Sequence, residues 1–121
     1  MTIEKQVCGL DLARKLKELG VKQDSAFYWH NYRNPAKDDH WHLVGERDKG
    51  LPDFATYSAF TVAELGEMLG RDYFPQWQPD FNRWTASYNS SRVVEQDGGT
   101  EAEARSKMLI YLLENKLISA R

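Results

Sequence analysis

Two four-residue signatures constrain this chain more than anything else in it: Thr61-Val62-Ala63-Glu64 and Thr100-Glu101-Ala102-Glu103. Each is a Thr followed three residues later by a Glu, with apolar residues at helical spacing beyond. In such a capping box the hydroxyl accepts from a first-turn backbone N–H and the carboxylate reaches back to the capping residue's own N–H, so two orphan amides are satisfied together. Both helices therefore have a defined start. After Thr61, the residues Val62, Leu65, Met68 and Leu69 form an apolar side, Phe60 stands where a hydrophobic staple to Leu65 belongs, and Gly70 ends the run. After Thr100, a wide apolar face of Ala104, Met108, Leu109, Leu112, Leu113 and Leu117 suits packing against a whole sheet. A third helix is read over 9–19, with Leu12, Ala13, Leu16 and Leu19 on one side and Asp11, Arg14, Lys15, Lys17 and Glu18 on the other. Gly20 stops it in the left-handed geometry, and Val21 folds back on its last turn.

The segments between these helices have strand character. Residues 25–33 are rich in aromatics, residues 39–44 follow a turn-like cluster at 34–38, and together they read as a β-hairpin. With that turn, Arg33 meets Asp39 and His30 lies opposite His42. Phe27, Trp29, Trp41 and Leu43 then share the core face, while Tyr28, His30, Tyr32, His40 and His42 share the other. Residues 45–57 are a polar connector carrying Gly50 and Pro52, long enough that part of it is expected to continue a strand. Residues 71–81 hold Tyr73, Phe74, Pro75, Trp77 and Pro79, and two prolines mark the stretch as an aromatic loop. Residues 83–89 and 92–96 read as two more strands joined by a turn at 89–91, and Asp97-Gly98-Gly99 breaks the pattern before the last helix. The expectation is one α+β domain over 1–121: an antiparallel sheet of about four strands packed with three helices, in the order α-β-β-α-β-β-α.

Composition narrows the function classes. A chain of 121 residues buries roughly two thirds of its unfolded surface and needs no disulfide or metal to hold a core. Sixteen Lys and Arg against eighteen Asp and Glu leave a net charge of −2, with no basic stripe to neutralise phosphates, which argues against nucleic acid as a partner. The densest basic run, Arg14-Lys15-Lys17, sits beside Asp11 and Glu18 and reads as a solvated helix face. Cys8 is the single cysteine, so internal disulfides and CxxC chemistry are excluded. The first residues lack the apolar core of a signal peptide, and no stretch approaches the roughly twenty apolar residues of a membrane span. A cytoplasmic location with no membrane partner is expected.

Three blocks resemble a small uncharacterised protein family encoded by bacteriophages and prophages. They are Val7-Cys8-Gly9-Leu10-Asp11-Leu12-Ala13-Arg14-Lys15-Leu16-Lys17-Glu18-Leu19-Gly20-Val21-Lys22-Gln23, the stretch 57–69 around Thr61-Val62-Ala63-Glu64, and the stretch 100–115 from Thr100-Glu101-Ala102-Glu103 to Asn115. They cover the three helices and a little over a third of the chain. The resemblance implies a phage or prophage origin and a shared fold, with a looser likeness in element order to small phage α-β-α sandwich domains. It lends no catalytic residue and does not reach the histidine-bearing hairpin.

The candidate chemistry is sparse. His40-Trp41-His42 places two imidazoles on one side of a strand and the register brings His30 across from His42, so His30, His40 and His42 are candidate ligands for a zinc-like ion with water in the fourth position. Asp38, Asp39 or Glu46 would add an oxygen ligand or orient an imidazole, and the bound water would be a hydrolytic nucleophile. The competing reading packs these histidines on Tyr28 and Tyr32 or leaves them in solvent. Cys8 stands at a helix start, where the dipole lowers a thiol pKa, against the plainer reading of a small buried residue. Ser87, Ser90 and Ser91 fall in no nucleophile-elbow pattern. Gly98 and Gly99 precede a helix N-terminus, but Asp97, Glu101 and Glu103 crowd it with negative charge and oppose an anion. No catalytic residue is nominated. Tyr73, Phe74 and Trp77 are candidate partner-binding residues, since exposed aromatics bury much area at low entropic cost; the alternative is that they cap the open end of the core. The leading expectation is a non-enzymatic accessory protein that binds a protein partner or itself. A small metal-binding or metal-dependent hydrolytic domain comes second and a nucleic-acid binder third.

Overall fold

The computed structural model describes residues 2–31, 41–45, 56–70, 73–78, 83–89 and 93–119. A short 3-10 turn, Ile3–Lys5, leads into helix α1, Leu10–Glu18, and then into strands β1, Tyr28–Asn31, β2, Trp41–Val44, and β3, Thr56–Ser58. Helix α2, Val62–Leu69, is followed by β4, Tyr73–Gln78, β5, Arg83–Asn89, and β6, Val93–Gly98, and the chain closes with α3, Glu101–Glu114. The α+β class is as expected. The sheet is not: among the described residues six strands form two antiparallel three-stranded sheets, ordered β2-β1-β3 and β4-β5-β6. The order expected from sequence did not place β3, which begins at the end of the polar connector where part of a strand was expected, and lacked β4, which lies inside the stretch read as a loop.

Pro75 explains the second of these corrections. It faces Ala86 across β4 and β5, and β4 is the outer strand of its sheet. A proline has no N–H to give the ladder, so it is tolerated where that position points away from the neighbour, at an edge. The last strand also runs further than expected, through Asp97 to Gly98. Gly98 is buried, and a Cβ there would meet the Ala104 amide nitrogen at 2.5 Å. The strand reaches α3 because residue 98 has no side chain.

The helix ends follow the local chemistry closely. Gly20 has φ of 90°; its N–H donates to Lys17 O at 3.0 Å and the Val21 N–H to Leu16 O at 3.1 Å, the two bonds of a Schellman ending. Thr61 and Glu64 form the full capping box, with Glu64 N–H donating to Thr61 Oγ1 at 3.2 Å and Thr61 N–H to Glu64 Oε1 at 2.9 Å. At Thr100 the box is only half made. Glu103 N–H donates to Thr100 Oγ1 at 3.0 Å, but the Glu103 carboxylate takes the N–H of Gly99 instead of that of Thr100.

The core lies around α3. Ala102, Ala104, Ser106, Met108, Leu109, Ile110 and Leu112 are buried on several sides of this helix, which packs against β5 and β6 as well as against α1 and α2. It is the shared wall between the second sheet and the helical layer. Cys8, Leu16, Phe60, Leu65 and Leu69 complete the cluster from the other elements, and the staple pair Phe60 and Leu65 is fully enclosed within it.

Candidate functional site

Among the described residues, the first sheet carries four of the five buried polar side chains, His30, Asn31, Thr56 and Ser58. His30 pairs with His42 across β1 and β2 and with Thr56 across β1 and β3. The pairing with His42 is the register expected from the turn length. The two faces are not divided as expected. Trp29 packs against the core as an odd position should, yet the even positions Tyr28 and His30 are buried too, at 8% and 2% exposure, while His42 is exposed. The physical reason is position: β1 is the middle strand of its sheet and β2 is an outer one. His30 Nδ1 lies 3.0 Å from Thr56 Oγ1, so the imidazole is held inside the sheet by a neighbouring hydroxyl. His40, the third candidate ligand, lies outside the described residues, as do Tyr32, Asp38, Asp39 and Glu46. Among the described residues no group of three His, Cys, Asp or Glu side chains stands together in a way that would hold a metal ion.

The outer edge of β3 is closed by side chains from α1 and the residues around it. Lys17 Nζ donates to Thr56 O at 3.2 Å, and Ser58 N–H donates to Gln23 Oε1 at 2.8 Å. Cys8 Sγ donates to Ser58 O at 3.7 Å. Beyond them Cys8 N–H donates to Phe60 O and Val62 N–H to Gln6 O, around an antiparallel bridge between Val7 and Thr61. This occupies backbone groups that would otherwise recruit another strand.

The basic run of α1 turns inward for the same reason. Arg14 stacks over Trp41 and Tyr57, with its guanidinium carbon 5.2 and 5.8 Å from the ring centroids, and Lys17 Nζ sits 5.1 Å from the Tyr57 ring. Trp41 and Tyr57 are themselves 5.5 Å apart. Lys15 pairs with Glu114 at 3.7 Å. Instead of the solvated face read from sequence, Arg14 and Lys17 are half-buried clasps between α1 and the first sheet, a use of cations over aromatic faces that stabilises by about 0.5–1 kcal/mol per contact at exposed sites.

Cys8 is fully buried. Burial pushes its thiol up to about 12 against an ordinary 9.0, with hydrogen bonds to Phe60 and Ser106 working the other way. The helix-start position does not activate it, because desolvation outweighs the dipole.

The candidate partner-binding residues Tyr73, Phe74 and Trp77 lie on β4, an outer strand rather than a loop. Tyr73 stands opposite Tyr88, and Trp77 opposite Trp84, which is half-buried and packs against the core. Sequence reasoning missed one feature altogether, a cleft of about 540 Å³ between the N-terminal ends of α1 and α3, lined by Glu4, Gly9, Leu10, Asp11, Thr100 and Glu103 among others. Gly9 provides no side-chain cap to α1, and the three carboxylates surround that end with negative charge. The signal for it was faint, a Gly at the helix start with acidic residues far apart in sequence.

No family model, curated protein or solved structure matches the chain. Among the described residues no helix is long and apolar enough to cross a membrane.

Proposed function

We propose that this chain is a non-enzymatic accessory protein of phage or prophage type that acts by binding a protein partner or a second copy of itself. The observation that carries this reading is strand β4. It is an outer strand with three aromatic residues among its six, Tyr73, Phe74 and Trp77. Aromatic residues are over-represented at the centres of protein interfaces, and an outer strand offers backbone donors and acceptors for strand addition. The wording of the three helical blocks supports the phage or prophage origin. The engagement of Arg14 and Lys17 within the fold, with the exposed Lys15 paired to Glu114, weighs against the nucleic-acid reading, since two of the three cations of the densest basic run make contacts inside the protein.

The experiment is site-specific photo-crosslinking in bacterial cells, with benzoylphenylalanine at Phe74 and, as control, at the exposed Ala63 of α2. One discrete adduct at position 74 and none at 63 is expected. Light scattering on the purified chain then separates the two partners, because self-binding doubles the mass and foreign binding leaves a monomer. No adduct from positions 73, 74 and 77, together with a monomeric mass, would sink the reading.

A further inference from the structure

We propose that His30 and His42 form a two-imidazole site for a borderline transition-metal ion, with Thr56 fixing the nitrogen that His30 presents to it. This goes beyond the partner reading and uses the other sheet. It starts from the hydrogen-bond parity of the first sheet. Ala59 N–H donates to Phe27 O, so the odd residues of β1 direct their backbone groups towards β3 and the even ones towards β2. His30 and Thr56 are therefore a non-hydrogen-bonded pair, the closer kind with Cα atoms about 4.5 Å apart. That closeness accounts for the 3.0 Å contact between His30 Nδ1 and Thr56 Oγ1.

His30 and His42 are by the same parity a hydrogen-bonded pair, about 5.5 Å apart at Cα with both side chains on one face. Two imidazoles so placed can close on an ion about 2.0–2.1 Å from each nitrogen. When Nδ1–H of His30 donates to Thr56 Oγ1, the remaining lone pair is on Nε2, the arrangement by which a neighbouring oxygen fixes the tautomer of a ligating histidine. The pair is closed at the His30 end and more accessible at the His42 end, since the first is 2% exposed and the second is an exposed residue. The ion enters from the His42 side and keeps water on its remaining positions. His30 and His42 each hold a further contact in the fold, and the ion competes with any that involve the rings. Two neutral imidazoles suit Cu(II), Ni(II) and Zn(II) over Mg(II) or Ca(II), in the order of the Irving–Williams series.

The test is calorimetric titration of the full chain with Zn(II) and Ni(II) at neutral pH, for the native sequence and for His42→Ala and Thr56→Val. One ion per chain is expected, weakened at least about 10-fold by His42→Ala and by about 10-fold or more by Thr56→Val, the usual effect of losing an orienting partner. Long-range proton–nitrogen spectra should show the perturbation at Nε2 of His30 and not at Nδ1. Absence of binding, or binding that His42→Ala leaves unchanged, overturns the site, and an exposed residue is unlike a buried one in that its loss does not threaten folding. Perturbation at Nδ1, or an unchanged affinity in Thr56→Val, removes Thr56 from its role. Neither result touches the crosslinking outcome at β4.

Discussion

Replacing Gly98 by Ala adds one methyl group and should still cost the protein a substantial part of its stability. The new Cβ would stand 2.5 Å from the Ala104 amide nitrogen and 2.9 Å from both the carbonyl carbon and the Cβ of Glu103. Comfortable separations begin near 3.5 Å, so the shortfall is roughly 1 Å against the first turn of α3, and it falls mainly on backbone atoms that cannot rotate away. Overpacking of this kind costs about 1–3 kcal/mol. The substitution also lowers the entropy of the unfolded chain, which returns about 0.4–1 kcal/mol. The expected net loss is about 1–2 kcal/mol. With about 2.1 cal/mol/K of unfolding entropy per residue, 121 residues correspond to a fall in Tm of about 4 °C per kcal/mol, hence about 4–8 °C. Urea unfolding followed by tryptophan fluorescence and circular dichroism measures it, and Gly45→Ala is the control, because a Cβ at Gly45 meets nothing within 4 Å. If Gly98→Ala unfolds at the same urea concentration as the native chain, the close approach of β6 to α3 is wrong and so is the placement of the second sheet.

Thr61→Ala should cost about 1 kcal/mol, the usual value of a lost N-cap, while Thr61→Ser stays close to native; equal melting of all three would show that the capping box does not hold α2. The Cys8 thiol should resist a disulfide reagent at mild alkaline pH until the chain is unfolded, given its complete burial and a pKa raised to about 12. A thiol whose folded pKa is raised contributes fully below its unfolded value of 9.0 and loses that contribution as pH rises towards about 12. Stability should therefore fall between pH 7 and pH 10, by on the order of 1 kcal/mol, and comparing the pH dependence of native and Cys8→Ala chains isolates it; parallel curves would refute the burial argument.

What was legible in the sequence was what is decided locally. Helix starts, the left-handed glycines and the His30–His42 register depend on residues within one turn or one hairpin, and these were found. The strand β3 was expected only as an unlocated part of the connector, because Thr56 and Tyr57 favour strands but three residues are too few to show an alternation. They are held by pairing with β1 and by Lys17, Gln23 and Cys8, which are distant in sequence. With β3 unplaced, β1 looked like half of an isolated hairpin, so the burial of His30 and Tyr28 could not be foreseen. The strand β4 was lost for a different reason. Proline was read as a breaker of regular structure, which holds in the middle of a sheet and fails at its edge. The clasp of Arg14 and Lys17 over Trp41 and Tyr57 was hidden because a charged residue on an amphipathic helix reads as solvent-facing unless its aromatic neighbours are known.

The two sheets deal with their edges in different ways, and the difference bears on what β4 would bind. At β3 the outward groups are matched one by one, Thr56 O by Lys17, Ser58 N–H by Gln23 and Ser58 O by Cys8. At β4 the device is a proline. Pro75 faces Ala86 and has no N–H, and a proline on an edge strand suits the position whose backbone groups point away from the neighbour, which puts the bonds to β5 on Phe74, Gln76 and Gln78. The backbone groups on the far side are then the N–H of Tyr73 and Trp77 and the carbonyls of Tyr73, Pro75 and Trp77. Acceptors outnumber donors there. A second copy of β4 laid antiparallel about Pro75 would bring two proline carbonyls together with no donor between them, and unmatched backbone acceptors in an interface carry a desolvation cost. A strand from another protein with an ordinary residue at that position supplies the missing N–H. Within the partner reading, the hydrogen-bond pattern of β4 thus favours a foreign strand over self-pairing, which is why a monomer in light scattering combined with an adduct at position 74 is the outcome expected.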